Sequence, residues 1–217
     1  MRSLGSSTGW RPSGVKLGID LDDVTAVCAV PYVRKFAERF GVALPDESEI
    51  GWHLIDESTV KPALRDAFRL DLYDSPFFGE LAMYPECPAV LERLVEAGHE
   101  LYFVTARAEK RRVITETWLR EKDLLRYAKG VYLKPRGDFV PPTPGRYDAR
   151  GSAVYKWRVA TDLGIEAFCE DDATIARTLA EGGIRVYLFD RAWNRGLEHP
   201  NFTRISNWDD VAREVGV

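Results

Sequence analysis

Three clusters of residues in this chain have the types and spacing for chemistry on an anionic ester. The first is Asp20-Leu21-Asp22-Asp23, directly after the short apolar run Val15 to Ile19. In extended backbone, residues i and i+2 project to the same side, so Asp20 and Asp22 can enter one crevice together. Two carboxylates that close repel unless a cation sits between them, and the ion suited to hard oxygen ligands with retained waters is Mg²⁺. The second cluster, Thr105-Ala106-Arg107, follows the apolar run Glu100 to Val104. At a strand-to-helix junction, its hydroxyl and backbone N–H groups could receive phosphate oxygens, or Thr105 could simply cap a helix. The third, Glu170-Asp171-Asp172, follows Glu166 to Cys169 and brings three more acids to a strand end. Lys156 lies between the last two clusters, in the first turns of a helix opened by Ser152. A cation there opposes the helix dipole and needs a carboxylate or phosphate to offset it.

Elements that could carry these clusters alternate along the chain. Strands are expected at Val15 to Ile19, Glu100 to Val104, Gly130 to Leu133, Glu166 to Cys169 and Ile184 to Phe189. Helices are expected at Pro88 to Ala97, Lys110 to Lys122, Ser152 to Leu163 and Thr174 to Glu181, the last stopped by Gly182-Gly183. Strands alternating with helices predict an α/β fold with a Rossmann-like parallel sheet flanked by helices, which binds ligands at the carboxyl ends of its strands. Residues 26–83 break the alternation. They hold helical stretches at Val30 to Phe40 and Val60 to Leu70 and no core strand, so they read as a small helical cap inserted after the first motif strand. The core is then expected over 15–25 and 84–217, behind a flexible leader at 1–14. The proline-rich stretch Pro135 to Arg150 reads as a surface excursion near the sheet's edge.

Composition narrows the partners. With 45% hydrophobic and 29% charged side chains over 217 residues, the chain has the makeup of an ordinary globular protein. Thirty basic against 34 acidic residues give a net charge of −4, so long nucleic acid is not an expected partner. No apolar stretch reaches the roughly 18 to 20 residues that a bilayer crossing needs, and no membrane partner is expected. Cys28, Cys87 and Cys169 leave one thiol unpaired in any disulfide scheme, which suits the reducing cytoplasm and three buried, unpaired side chains. His53, His99 and His199 show neither metal-ligand nor triad spacing.

Taken in order, Gly18-Ile19-Asp20-Leu21-Asp22-Asp23-Val24, Phe103-Val104-Thr105-Ala106-Arg107, Lys156 and Phe168-Cys169-Glu170-Asp171-Asp172 resemble the four motifs of the haloacid-dehalogenase-like (HAD) hydrolases. Tyr84-Pro85 with the helix to Gly98, the Thr-Ala-Arg triplet and Val186 to Arg195 are most similar to the 5'(3')-deoxyribonucleotidases and their bacterial relatives. The resemblance implies a Mg²⁺-dependent phosphomonoesterase, with Asp20 as the nucleophile that forms an aspartyl-phosphate and Asp22 as acid and base. Thr105, Ala106, Arg107 and Lys156 would bind the phosphoryl oxygens. Asp20, the Asp22 backbone carbonyl and an acid of the last motif would hold the metal. That motif usually carries two aspartates, and alignment from the following helix favours Asp171 over Glu170, with Asp172 third.

The resemblance also implies a small phosphorylated substrate, a nucleoside monophosphate, and a homodimer. The inserted aromatics suit either a mini-core of their own or a ligand-facing wall, with Trp52, Phe77 and Phe78 as candidates for stacking on a base. Two other readings stay open: a phosphatase of sugar phosphates or other small metabolites, and a catalytically silent protein that binds metal or phosphate.

Overall fold

The computed structural model describes residues 14–135 and 147–217. The expected leader and most of the proline-rich stretch lie outside these residues. Six parallel strands form one sheet in the order β3-β2-β1-β4-β5-β6, comprising β1 (Lys16–Ile19), β2 (Glu100–Ala108), β3 (Ala128–Lys134), β4 (Ala167–Glu170), β5 (Arg185–Phe189) and β6 (Phe202–Ile205). Strand order reverses at β1, which has β2 on one side and β4 on the other, so the crevice of a doubly wound sheet opens at β1's carboxyl end. Asp20 is the first residue past that end.

Side-chain alternation along the buried strands divides the apolar core in two. Leu17, Ile19, Leu101, Phe103, Ala167, Cys169, Tyr187 and Phe189 face one layer, against helices α4 (Cys87–Glu96), α5 (Arg112–Glu121) and α8 (Trp208–Val215). Tyr102, Val104, Phe168, Val186 and Leu188 face the other, against α6 (Ala149–Leu163) and α7 (Ala173–Glu181). The three thiols are free and buried, as expected from their spacing. No helix among the described residues is long and apolar enough to cross a membrane.

The expected elements form, with boundaries shifted by a few residues. The strand β6 and the helix α8 were not expected. β6 is a four-residue edge strand after His199-Pro200-Asn201, too short for an alternation pattern, and α8 packs mainly on α4. A second difference matters more for chemistry. β2 continues to Ala108, so Thr105-Ala106-Arg107 lies inside the strand rather than at a helix start, where its register with β3 is interrupted between Thr105 and Ala108.

Between β1 and β2, the chain forms α1 (Ala29–Phe40), α2 (His53–Glu57) and α3 (Pro62–Asp74). Its outgoing and returning strands meet at the Ala26–Met83 antiparallel bridge, flanked by Val27 N–H to Ala82 O at 2.9 Å and Tyr84 N–H to Thr25 O at 3.1 Å. The insert is tied to the core by the Trp118 indole N–H on Leu81 O and the Ala108 amide on the Tyr73 hydroxyl, at 2.9 and 2.8 Å.

Gly18 of β1 lies in register with Phe168 of β4. A Cβ added there would lie 2.3 Å from the Phe168 ring, which is fully buried and has no room to swing. Overfilling a packed core commonly costs about 1–3 kcal/mol, and Gly18→Ala should lose about that much stability in urea or thermal denaturation. Wild-type stability in the variant would show that the ring moves aside freely.

Candidate active site

β1, β4 and α6 bring one cation into a nest of acids. Lys156 is in the middle of α6, which opens at Ala149 with the Asp148 carboxylate capping the Gly151 amide, rather than in the first turns as the sequence suggests. Its ammonium is wholly buried, 2.7 Å from Asp20 Oδ1 and 2.8 Å from Glu170 Oε2. Both contacts are buried ion pairs, and the one to Glu170 is also a well-aligned hydrogen bond. Carboxylate oxygens of Asp20, Glu170 and Asp171 all fall within 4.8 Å of one another.

The electrostatics follow from burial. Desolvation pushes Asp20 up to about 8 despite the Lys156 charge beside it, with Glu170 and Asp22 adding repulsion. Burial likewise raises Glu170 and carries Asp171 well above the carboxylate range, Asp171 also feeling Glu170 and Asp23. Burial opposes the charge on Lys156, but the two acids it touches outweigh that and hold it protonated. One lysine cannot balance three converging carboxylates. A second, divalent cation at this cluster would do so, and the donor set, all oxygen, fits a hard ion such as Mg²⁺.

The three acids of the β4 end divide their tasks. Glu170 accepts from Lys156 through Oε2 and from the Asp171 and Asp172 amides through Oε1, both at 3.1 Å, so its capacity goes to building the loop. Asp172 caps α7 through the amides of Thr174 and Ile175. Asp171 accepts the Trp193 indole N–H on Oδ2 at 2.9 Å, and its own carbonyl is held by Asn194 Nδ2 at 2.8 Å. Trp193 and Asn194 position this acid and were not singled out individually from sequence. Polar residues on a loop after β5, beside the crevice, were the available signal.

At the β1 end, the Thr25 hydroxyl donates to Asp20 O at 2.8 Å. Asp23 takes the left-handed conformation, with φ of 60°, and its carboxylate receives the Cys28 and Ala29 amides that open α1. It is therefore a helix cap. Asp22 points to β2, where Arg107 donates Nη2 to Oδ1 at 2.6 Å and Nε to Oδ2 at 3.1 Å. Its side chain is not among the three clustered carboxylates.

The Arg107 guanidinium, expected at the phosphate, is here engaged with Asp22, Phe78 O and Thr115. The Arg107 amide is spent as well, donating to Thr105 Oγ1 at 3.2 Å. Thr105 is buried on the strand beside β1, and Ala106 lies in the interrupted register.

The stacking candidates also settle differently from a ligand wall. Phe77 and Phe78 are 4% and 6% exposed and pack edge-on with Tyr32, Tyr73 and each other, because the short insert needs their volume as a core. Trp52 is half-buried between Tyr32 and Trp193. His99 and His199 accept backbone amides from Val15 and Asn201.

Removing one partner from a buried ion pair typically costs about 3–5 kcal/mol, because the remaining charges stay desolvated. Lys156→Met leaves Asp20 and Glu170 without their cation and should lose stability in chemical denaturation, less at neutral pH, where the acids can take up protons, and on that scale at pH 9, above the raised Asp20 value of about 8. A loss below about 1 kcal/mol at the higher pH would mean that the acids share protons even there and that the lysine contributes little.

With the site described, comparison with known proteins is informative. The family model for the 5' nucleotidase, deoxy (pyrimidine), cytosolic type C protein (NT5C) matches residues 14–136, which hold β1 with its acids, the insert and β2. A nucleotidase of Clostridium acetobutylicum is 26% identical over 141 residues, covering 64% of this chain and 62% of that protein. The chain thus spans less than two thirds of the length of the curated relatives it matches. Among solved structures, a predicted phosphatase from C. acetobutylicum superimposes with a TM-score of 0.64 at 12% identity, over 94% of this chain and 98% of that one. YfnB, a HAD-type protein of Bacillus subtilis whose structure is bound to magnesium, gives 0.56 at 13%, over 94% and 100%. At these identities, the structures establish a shared HAD-like fold. The match of the family model across more than half of the chain establishes more: this protein belongs to the NT5C 5'-nucleotidase family.

Proposed function

We propose that the protein is a Mg²⁺-dependent phosphomonoesterase of (deoxy)nucleoside monophosphates. The carrying observation is the convergence of Asp20, Lys156, Glu170 and Asp171 at the switch point of the sheet. Family membership supports nucleotides as the substrate class.

In this reading, an Asp20 carboxylate oxygen attacks phosphorus in line with the ester oxygen. The P–O bond to the alcohol breaks, the departing oxygen takes a proton from Asp22, and an aspartyl-phosphate remains. Asp22, now a carboxylate, accepts a proton from water as that water attacks the same phosphorus. Phosphate leaves, and Asp20 is restored. Lys156 would hold phosphoryl oxygens by charge, and Thr105 by its hydroxyl. Asp20 and Asp171 would hold Mg²⁺, joined by the Asp22 carbonyl as the resemblance implies, with Glu170 less available because its oxygens already hold Lys156 and two amides. The ion, when bound, would neutralise charge on the transferring group. The reduced cysteines suit a cytoplasmic setting for this chemistry.

The direct test is turnover of a panel of nucleotides and sugar phosphates with Mg²⁺. Nucleoside monophosphates should be the best substrates, and Asp20→Asn should remove activity without unfolding the protein. An active Asp20→Asn variant would refute the covalent mechanism, and sugar phosphates turning over faster would move the substrate class. Asp22→Asn should lose about 10² to 10⁴ in kcat with nucleotides and less with p-nitrophenyl phosphate, whose leaving group needs little protonation.

The metal can be tested without activity. A ligand at a hundred times its Kd adds about 2.7 kcal/mol, or roughly 5 to 10 °C in Tm for a chain of this size. Saturating Mg²⁺ should raise the Tm by about that much, and Asp171→Asn should remove more of the shift than Glu170→Gln. The opposite order would make Glu170 the metal-binding acid.

A further inference from the structure

We infer that Arg107 is the positioning residue for the acid–base group of this site: it fixes the Asp22 carboxylate and is itself held in place by the inserted segment. The inference rests on the phosphatase reading and deepens it.

The geometry separates this role from anion binding. Arg107's side chain is 2% exposed and Asp22's is 25%, so the acid faces the crevice and the guanidinium lies behind it. Two N–H groups run to the two Asp22 oxygens as a planar fork, which fixes the direction of the carboxylate as well as its place. Nη1 is aimed away from the crevice, at Phe78 O (3.5 Å) and Thr115 Oγ1 (3.4 Å). The cation lies over the Phe78 ring at 4.9 Å and near Trp118 at 6.0 Å, so aromatic faces replace the water it has lost. Little donor capacity remains for a phosphate.

Phe78 supplies both the ring and the carbonyl. It belongs to the insert, on the short helical turn Pro76–Gly79, whereas Trp118 and Thr115 are on α5 of the core. The orientation of Asp22 is thereby tied to the seating of the insert on the core. This gives the buried Phe78 a part in the chemistry other than stacking on a base. An acid–base group must meet the ester oxygen within hydrogen-bond reach, and a misplacement of about 1 Å can cost on the order of 10² in rate.

The experiment compares Arg107→Met and Arg107→Lys with wild type, using thymidine 5'-monophosphate and p-nitrophenyl phosphate. For Arg107→Met, kcat on the nucleotide should fall by about 10², the scale set by misplacement, with KM within about threefold. The p-nitrophenyl ester should lose under about tenfold, because its leaving group needs little protonation. Arg107→Lys, which keeps the charge but not the fork, should recover part of the nucleotide rate. In an Asp22→Asn background, Arg107→Met should cost little more, since residues acting as a unit are not additive.

A tenfold rise in KM for both esters and in the inhibition constant of inorganic phosphate would overturn the proposal and make Arg107 an anion ligand. A full further loss on top of Asp22→Asn would also overturn it. Should Arg107→Met fail to fold by circular dichroism, Thr115→Val and Phe78→Leu carry the test. They should show the same selective loss for the nucleotide at smaller amplitude, and equal losses on both esters would overturn the proposal. A wild-type protein that hydrolyses no phosphomonoester would overturn the phosphatase reading and this one with it, whereas the other outcomes leave that reading standing.

Discussion

The contact on which the site depends is the buried ammonium of Lys156 between Asp20 and Glu170. Carboxylates brought together out of water raise one another's proton affinity, and each would be neutral without a compensating charge. One lysine is enough to organise β1, β4 and α6 around a common point, because α6 must deliver the cation from the layer below the sheet to the strand ends. One lysine is not enough to discharge Asp20, Glu170 and Asp171 together. Packing this many acids around a single amine leaves an excess of carboxylate that a divalent cation would offset.

The other half of the site is built on a different principle. Asp22 is two residues from Asp20, yet it turns away from Lys156 toward β2, where the Arg107 fork receives it. The two carboxylates of the D-x-D pair are therefore kept in separate electrostatic environments, one against an ammonium among acids and the other against a guanidinium among aromatic rings. A pair of acids with different tasks needs such a division, since identical surroundings would leave them interchangeable. The left-handed turn at Asp23 and its cap on α1 make the division possible by redirecting the chain just after Asp22.

The fold was legible where pattern and position coincide. Short apolar runs ending in acids identified β1 and β4, and the alternation of strands and helices identified the parallel sheet. Asp20 and Glu170-Asp171 were legible for the same reason, since they lie at the ends of β1 and β4, whereas Lys156 reaches the same point from the middle of α6. What could not be read depends on contacts between distant segments. The role of Arg107 needs Phe78, 29 residues upstream, and Asp22, 85 residues upstream. The continuation of β2 through Thr105-Ala106-Arg107 needs β3 beside it, because local sequence there fits a helix start equally well. β6 is four residues at a sheet edge, and so short a segment has no period to detect.

The aromatic content of residues 26–83 shows a similar limit. A wall for a base and a core for a small insert both call for Phe, Tyr and Trp, and composition cannot separate them. The structure assigns Phe77 and Phe78 to the core with Tyr32 and Phe68, leaving Trp52 against Trp193 at the edge. Trp193 in turn holds Asp171, while Arg195 on the same loop pairs with Glu49 of the insert. The insert thus touches the residues behind two carboxylates of the site: Phe78 behind Arg107 and Asp22, and Trp52 behind Trp193 and Asp171. Its aromatic core contributes to the site by fixing those supports.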